Sequence, residues 1–276
     1  MGELKNWSGE RLETDVFTET SIEHLHRYAL ALEFVQNKKV LDIASGEGYG
    51  ANLLAQKASH VIGVDISSDV IKQAKNKYQR PNLEFLCGSV ENIPVPDKNV
   101  DVVASFETLE HVADHEKMLA EIKRVLATGG LLIISTPDKK NYTDKTGYKN
   151  PFHTKELYEE EFAALLNKYF KNVEFLDQQI ALSSVITTEN TQGLKRYTGN
   201  FREIKNDTAD NRLYCIALAS DELLPPLNNS VFNGQSVFAE ALSANEKMIT
   251  NTITYKVGHI ILYPAKLIKK LFKKKV

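Results

Sequence analysis

The residues that could do chemistry start where one short apolar run stops. Lys39-Val40-Leu41-Asp42-Ile43-Ala44-Ser45 passes into Gly46, Gly48 and Gly50. These three residues lack a Cβ, so the backbone can take positive φ and a ligand can come close to it. A second run, His60–Asp65, ends in a carboxylate. The interval from Gly46 to Asp65 matches the roughly 20 residues at which an acidic side chain of a nucleotide-binding βαβ unit holds a ribose diol. Gly46-x-Gly48-x-x-Ala51 formally fits a dinucleotide pattern too.

Asp42 discriminates between ligands. Inside the strand end it would face the pyrophosphate of a dinucleotide with like charge. S-adenosylmethionine presents an ammonium and a sulfonium there instead. Two carboxylates, Asp42 for the methionine end and Asp65 for the ribose, suit that cation. Further on, Asp101–Phe106 reads as a strand followed at once by Glu107-Thr108-Leu109-Glu110-His111. In a doubly wound sheet ligands bind outside the carboxyl ends of the strands, so this segment can touch a substrate.

The elements needed to position these residues are legible as alternating patterns. Strands are expected at Lys39–Ile43, His60–Asp65, Asp101–Phe106 and Leu131–Thr136, a turn and third strand together at Pro81–Cys87, and helices at Tyr49–Gln56, Asp69–Tyr78 and Asp114–Leu126. Gly129-Gly130 reads as the end of the last helix. This is an α/β chain with a Rossmann-like doubly wound sheet. Residues 1–20 read as an irregular arm. From Ser21 a helix follows, with Ile22, Leu25, Ala29 and Leu32 as its apolar stripe and His24, Arg27 and Tyr28 opposite. That polar face is either solvated or a cap over the ligand, with Arg27 or a histidine near the methionine carboxylate and Tyr28 over the ligand.

The blocks VLDIASGEGYG, VIGVDIS, DVVASFETLEHV and GGLLIISTP occur in this order over Lys39–Pro137. Together they resemble class I S-adenosylmethionine-dependent methyltransferases. The resemblance implies S-adenosylmethionine as cofactor and an antiparallel last strand pair, matched here by Val173–Leu176 and Leu213–Ala219. The residues assigned to the cofactor are Arg27, Tyr28, Asp42, Ala44, Gly46, Gly48, Asp65, Ile66, Ser89, Val90, Glu91, Phe106 and Glu107. Ser89 stands where many relatives carry an adenine-binding Asp, which makes the Val90 backbone the stronger adenine contact. Methyl transfer to a hydroxyl requires alignment and removal of a proton. His111 is the first candidate base, since imidazole titrates near neutral pH; its bland alternative is a hydrogen bond that fixes the loop. Glu107 has a helix N-terminal alternative, and Glu110 reads as solvated.

Gly9-Glu10-Arg11 with Glu23-His24-Leu25-His26-Arg27-Tyr28-Ala29, placed directly before the glycine turn, resembles methyltransferases of bacterial cell-surface glycan (O-antigen) assembly. So does Asn150-Pro151-Phe152-His153, ahead of a helix expected at Glu156–Phe170. His153 is the second catalytic candidate, weighed against a helix-entry histidine. The resemblance implies oxygen methylation of a sugar or sugar phosphate on a lipid-linked glycan acceptor. The rivals are a quinone oxygen or a sugar amine as acceptor, and a silent cofactor-binding scaffold.

A chain of 276 residues with 42% hydrophobic content can bury one large core with extensions. The division expected is 1–38 arm and cap helix, 39–220 methyltransferase domain with an acceptor-side insertion at 177–212, and 221–276 linker and tail. That insertion far exceeds what an antiparallel pair needs. Cys87 and Cys215 read as reduced, buried thiols, and no metal-ligand spacing of cysteines and histidines is present.

Seven of the 34 basic residues and none of the 36 acidic ones fall in Thr254–Val276, leaving the remainder near −9. That excludes a nucleic-acid-binding profile for the domain. The start of the chain has no apolar core of signal-peptide length, and no run is long enough to span a bilayer. Leu267, Ile268, Leu271 and Phe272 alternate with lysines at helical spacing, as in a helix that lies on an anionic membrane surface. The expected location is cytoplasmic, peripheral on the inner face of the membrane; homo-oligomerisation is left open.

Overall fold

The computed structural model describes residues 11–14, 19–181, 196–199, 202–207 and 212–258. It divides into two compact units, Glu19–Phe232 with residues 11–14, and a second described over 233–258. The first contains α1 (Glu19–Ala31), β1 (Lys39–Ile43), α2 (Tyr49–Leu54), β2 (His60–Asp65), α3 (Ser68–Lys77), β3 (Leu83–Cys87), β4 (Val100–Phe106), α4 (His115–Val125), β5 (Leu126–Pro137), α5 (Glu159–Tyr169), β6 (Asn172–Gln178), β7 (Tyr197–Gly199), β8 (Ile204–Asn206) and β9 (Tyr214–Ser220). The second contains α6 (Gln235–Asn251).

Seven strands form one sheet in the order β3-β2-β1-β4-β5-β9-β6. The first five are parallel, and β9 runs antiparallel to both β5 and β6. The expected α/β architecture and its antiparallel end are therefore present. Strand alternation divides the core between the two faces. Leu41, Ile43, Val103, Leu132 and Ile134 pack with Met118, Leu119 and Ile122 of α4 and Phe162 and Leu166 of α5. Val40, Val61, Val102 and Ile133 pack on the other face with Tyr28, Ala51, Leu54, Ile71 and Ala74.

Four expectations change. On α1 the buried positions are Ser21, Glu23, Arg27, Tyr28 and Ala31, whereas Ile22, Leu25, Ala29 and Leu32 are only half-buried. The polar face is turned inward because hydrogen-bond partners await it there. Gly129-Gly130 does not end α4. That helix stops at Val125, and Gly129, at φ +73°, sits in an irregular stretch of β5 where the register against β4 shifts from Val100↔Leu126 to Val102↔Leu131. Cys87 is exposed, since β3 is the outer strand of the sheet, while Cys215 is buried. Glu110 is buried, as described below.

Gly50 shows how tightly α1 is set against α2. A Cβ at this position would fall within the Tyr28 ring. Gly50→Ala is therefore expected to lower stability by about 2 kcal/mol through overpacking. Urea denaturation measures this, and an unchanged midpoint would show that Tyr28 is not held there. Within the insertion, β7 and β8 form an antiparallel ribbon, and most of the remaining residues from 182 to 211 lie outside the described ones. So does the expected membrane-surface helix beyond residue 258. Among the described residues no helix is long and apolar enough to cross a membrane.

Candidate active site

The strand order reverses between β1 and β4, and the carboxyl ends of these two strands bound a crevice of the kind in which α/β sheets bind ligands. Each strand is followed directly by a non-glycine residue in the left-handed region, Ala44 at φ +59° after β1 and Glu107 at φ +50° after β4. Such backbone persists only where its surroundings over-determine it.

Asp42 shares a face with Val40, so alternation aims it at α1 and α2. Its carboxylate is 1% exposed and accepts from the Tyr28 hydroxyl at 3.1 and 3.3 Å and from the backbone N–H of Ala51. Burial pushes its carboxyl up to about 7. The Tyr28 and Ala51 hydrogen bonds oppose that rise, and the charge of Asp65 adds to it. Tyr28 is locked edge-on against Phe106, at 5.0 Å between ring centroids, and against Tyr49, at 5.5 Å.

Asp65 closes β2 and fixes the glycine turn. Its Oδ2 accepts from Gly46 N–H at 3.0 Å and its Oδ1 from Ser67 N–H at 2.9 Å. Arg11, from the N-terminal arm, stands 3.6 Å from Oδ1. Gly46 has φ +52°, and a Cβ there would meet nothing within 4 Å, so the space above the turn is open. Beside it Ile66 is 69% exposed, a large apolar side chain facing solvent. Ser89, Val90 and Glu91 are half-buried, with Glu91 N–H donating to Ser89 Oγ at 3.1 Å.

Arg27 is 1% exposed. Its Nε donates to Gln178 Oε1 at 2.7 Å, its Nη1 lies 3.5 Å from Glu107 Oε1, and its guanidinium carbon stands 4.3 Å from the centre of the Tyr214 ring. Glu107 in turn accepts from Ser135 Oγ at 2.7 Å. Both terminal nitrogens of Arg27 are buried without a hydrogen-bond acceptor. Buried donors of this kind want an anion, and a carboxylate matches the planar fork. The residues present thus fit S-adenosylmethionine at three points: an unsatisfied Arg27 fork, a buried carboxylate at Asp42, and open space over Gly46. His24, the histidine alternative to Arg27, is bound instead to the Tyr49 hydroxyl at 2.8 Å.

His111 and His153, 42 positions apart, come together with ring centroids 5.1 Å apart, edge to face. His111 lies in a single 3-10 turn, Leu109–His111, directly after β4. The backbone carbonyl of Glu110 accepts from Thr154 and Lys155 N–H, which ties that turn to the segment before α5. His111 Nδ1 is bonded to Phe152 O at 2.9 Å, and His153 Nδ1 to Glu156 Oε1 at 2.5 Å. Tyr142 stacks on His153 at 5.4 Å. Glu110 is 1% exposed rather than solvated; its position in a turn covered by residues 152–155 buries it, and burial raises its carboxyl well above the ordinary range.

Residues 41–134 match the family model described as a methyltransferase domain. These residues carry the chain's likeness to S-adenosylmethionine-dependent methyltransferases. A probable S-adenosylmethionine-dependent methyltransferase of Mycobacterium tuberculosis is 38% identical over 130 residues, 47% of this chain and 47% of that protein. This chain therefore spans about half the length of that relative. A fatty-acid O-methyltransferase of Mycolicibacterium smegmatis is 27% identical, covering 74% of this chain and 76% of that one. A solved S-adenosylmethionine-dependent methyltransferase of Archaeoglobus fulgidus shares the fold with a TM-score of 0.53 and 19% identity, over 73% of this chain and 93% of that chain.

Within the matched region and its flanks, sequence reasoning missed the residues that hold Arg27 in place. Gln178 and Tyr214, which touch Arg27, and Ser135, which touches its partner Glu107, come from three other strands, and nothing in their local pattern announces these contacts. Arg11 was within reach as part of Gly9-Glu10-Arg11, but its partner, Asp65, was assigned only to the ligand.

Proposed function

We propose that the methyltransferase transfers a methyl group to a hydroxyl oxygen of a sugar in a bacterial surface glycan. The observation that supports this best is the pairing of His111 with His153 outside the end of β4, where an acceptor would stand. S-adenosylmethionine supplies a methyl group already activated by its sulfonium. The chain's own residues then have two tasks, to align donor and acceptor and to handle the hydroxyl proton. Arg27 is assigned to the methionine carboxylate, Asp42 to the cationic end, Asp65 to the ribose, and Ile66 with Ser89–Glu91 to the adenine. With Nδ1 of His111 committed to the Phe152 carbonyl, Nε2 is the basic nitrogen of that ring.

The sugar is supported by the resemblance of residues 9–29 and 150–153 to glycan-assembly methyltransferases and by the Thr, Asn and Gln content of the 177–212 insertion, with Lys195, Arg196 and Tyr197, a composition that suits a hydroxyl-rich acceptor. The basic tail suits an acceptor held at an anionic membrane surface. The test is transfer of labelled methyl groups to lipid-linked glycan presented in anionic and in neutral vesicles. Methylation favoured by anionic vesicles is expected. Transfer to free quinol precursors alone would overturn the acceptor, and cofactor binding with no transfer to any extract would leave a scaffold.

The fatty-acid O-methyltransferase relative favours a second reading, a carboxylate acceptor, which needs no base. The histidines separate the two. On a hydroxyl, His111→Ala with His153→Ala should lower kcat by about 100-fold or more. On a carboxylate, kcat should be nearly unchanged.

A further inference from the structure

Glu110, His111 and His153 offer one ligand atom each, all within 4.8 Å of one another. His111 Nε2 and Glu110 Oε1 are 3.9 Å apart. Glu110 Oε1 is the decisive atom. The carboxylate is buried, Thr136 Oγ1 donates to its other oxygen at 3.2 Å, and Oε1 itself has no hydrogen-bond partner. A buried carboxylate oxygen left in this state costs free energy unless something positive meets it.

The histidines are prepared on their far sides. His111 Nδ1 faces a backbone carbonyl oxygen and His153 Nδ1 faces the Glu156 carboxylate. In each ring this sets the Nδ1–H tautomer and makes Nε2 the ligand nitrogen, the arrangement that outer-shell acceptors impose on metal-bound imidazoles. Tyr142, stacked on His153, holds that ring's plane. Tetrahedral ligands at about 2.1 Å from an ion stand about 3.4 Å apart, so the present spacing closes with shifts of under about 1.5 Å.

We propose that Glu110, His111 and His153 bind a divalent transition-metal ion of the zinc class, with at least one coordination position left open. Two imidazoles and one carboxylate are the donor set of open, catalytic sites rather than closed structural ones. No sequence motif announces the site, because its ligands come from two segments about 40 positions apart that are united by hydrogen bonds between residues 110–111 and 152–155. Resting on the reading that an oxygen is methylated beside β4, the ion would take the acceptor oxygen in its open position and acidify its hydroxyl. The carbon–sulfur bond then breaks as the carbon–oxygen bond forms, and the hydroxyl proton leaves to water. In that case the histidines act by holding the ion, in place of the direct proton removal described above, and metal uptake separates the two roles.

The experiment uses the full chain, freed of metal by chelation and saturated with S-adenosylmethionine, titrated with Co²⁺ and then Zn²⁺. Uptake of one equivalent is expected, with a cobalt spectrum of nitrogen and oxygen ligands that Zn²⁺ displaces. His153→Ala and Glu110→Gln should weaken uptake by about 100-fold, and the outer-shell variant Glu156→Gln by about tenfold. No uptake, a thiolate charge-transfer band, or uptake unchanged in the variants would overturn the proposal. If a variant does not fold, zinc-edge absorption of the unsubstituted protein decides, since fewer than two imidazole scatterers excludes the site. S-adenosylmethionine affinity is read in the same samples. Its loss would count against the proposed function, whereas intact cofactor binding without metal uptake would sink the metal site alone.

Discussion

Asp42→Asn should make this protein harder to unfold at pH 8 and poorer at holding S-adenosylmethionine. In the folded chain the Asp42 carboxyl is raised to about 7, chiefly by burial, against an unfolded value of about 3.9. Because the folded value lies above the unfolded one, the folded state binds the extra proton between about pH 4 and 7. Stability therefore falls as pH rises through that window, and the cost of ionising Asp42 is fully present above it. A difference of about 3 pH units corresponds to up to about 4 kcal/mol. Asn removes that slope while its Oδ1 can still accept from Tyr28 and Ala51. Its amide brings two donors to a buried place, which offsets part of the gain, so a net gain of about 1 to 2 kcal/mol is expected at pH 8. Denaturation at pH 5 and pH 8 should show the variant's advantage growing with pH; parallel curves would refute the account.

Binding should move the other way. A cationic ligand favours ionised Asp42, so cofactor affinity should climb as pH rises from 6 to 8, with protons released to buffer on binding. Losing the charged hydrogen-bond partner costs about 1.5 to 3 kcal/mol, a tenfold to hundredfold weaker Kd for Asp42→Asn with no pH slope. Calorimetry in buffers of different ionisation enthalpy measures both quantities.

The second large effect is expected at Arg27. Replacing it by Met leaves Glu107 without its cation and Gln178 Oε1 without its donor, inside a largely buried group of side chains. Breaking one side of a buried pair costs about 3 to 5 kcal/mol, and S-adenosylmethionine should no longer bind measurably. Arg27→Lys keeps the charge, but an ammonium cannot reach Gln178, face Glu107 and stack on Tyr214 in one geometry. Its affinity should fall more than tenfold. Adding Glu107→Gln to Arg27→Met should restore much of the stability and none of the binding. Wild-type cofactor affinity in Arg27→Met would remove Arg27 from the site.

Much of this protein is written locally. A strand that must be apolar on both faces, a turn that needs glycine, and a carboxylate at a set distance beyond it are short-range requirements, so β1, the glycine turn and Asp65 are legible from residue types and spacing. The parity of β1 likewise placed Asp42 on one face. Tertiary structure decided what depends on partners far along the chain. The polar side of α1 is its buried side because Asp42, Gln178 and Tyr214 wait there to satisfy Tyr28 and Arg27, and helical periodicity alone reads such a face as solvated. Glu110 is buried because residues 152–155 fold back over its turn. The same fold brings His111 to His153, since a hydrogen bond between distant segments leaves no trace in the pattern of either.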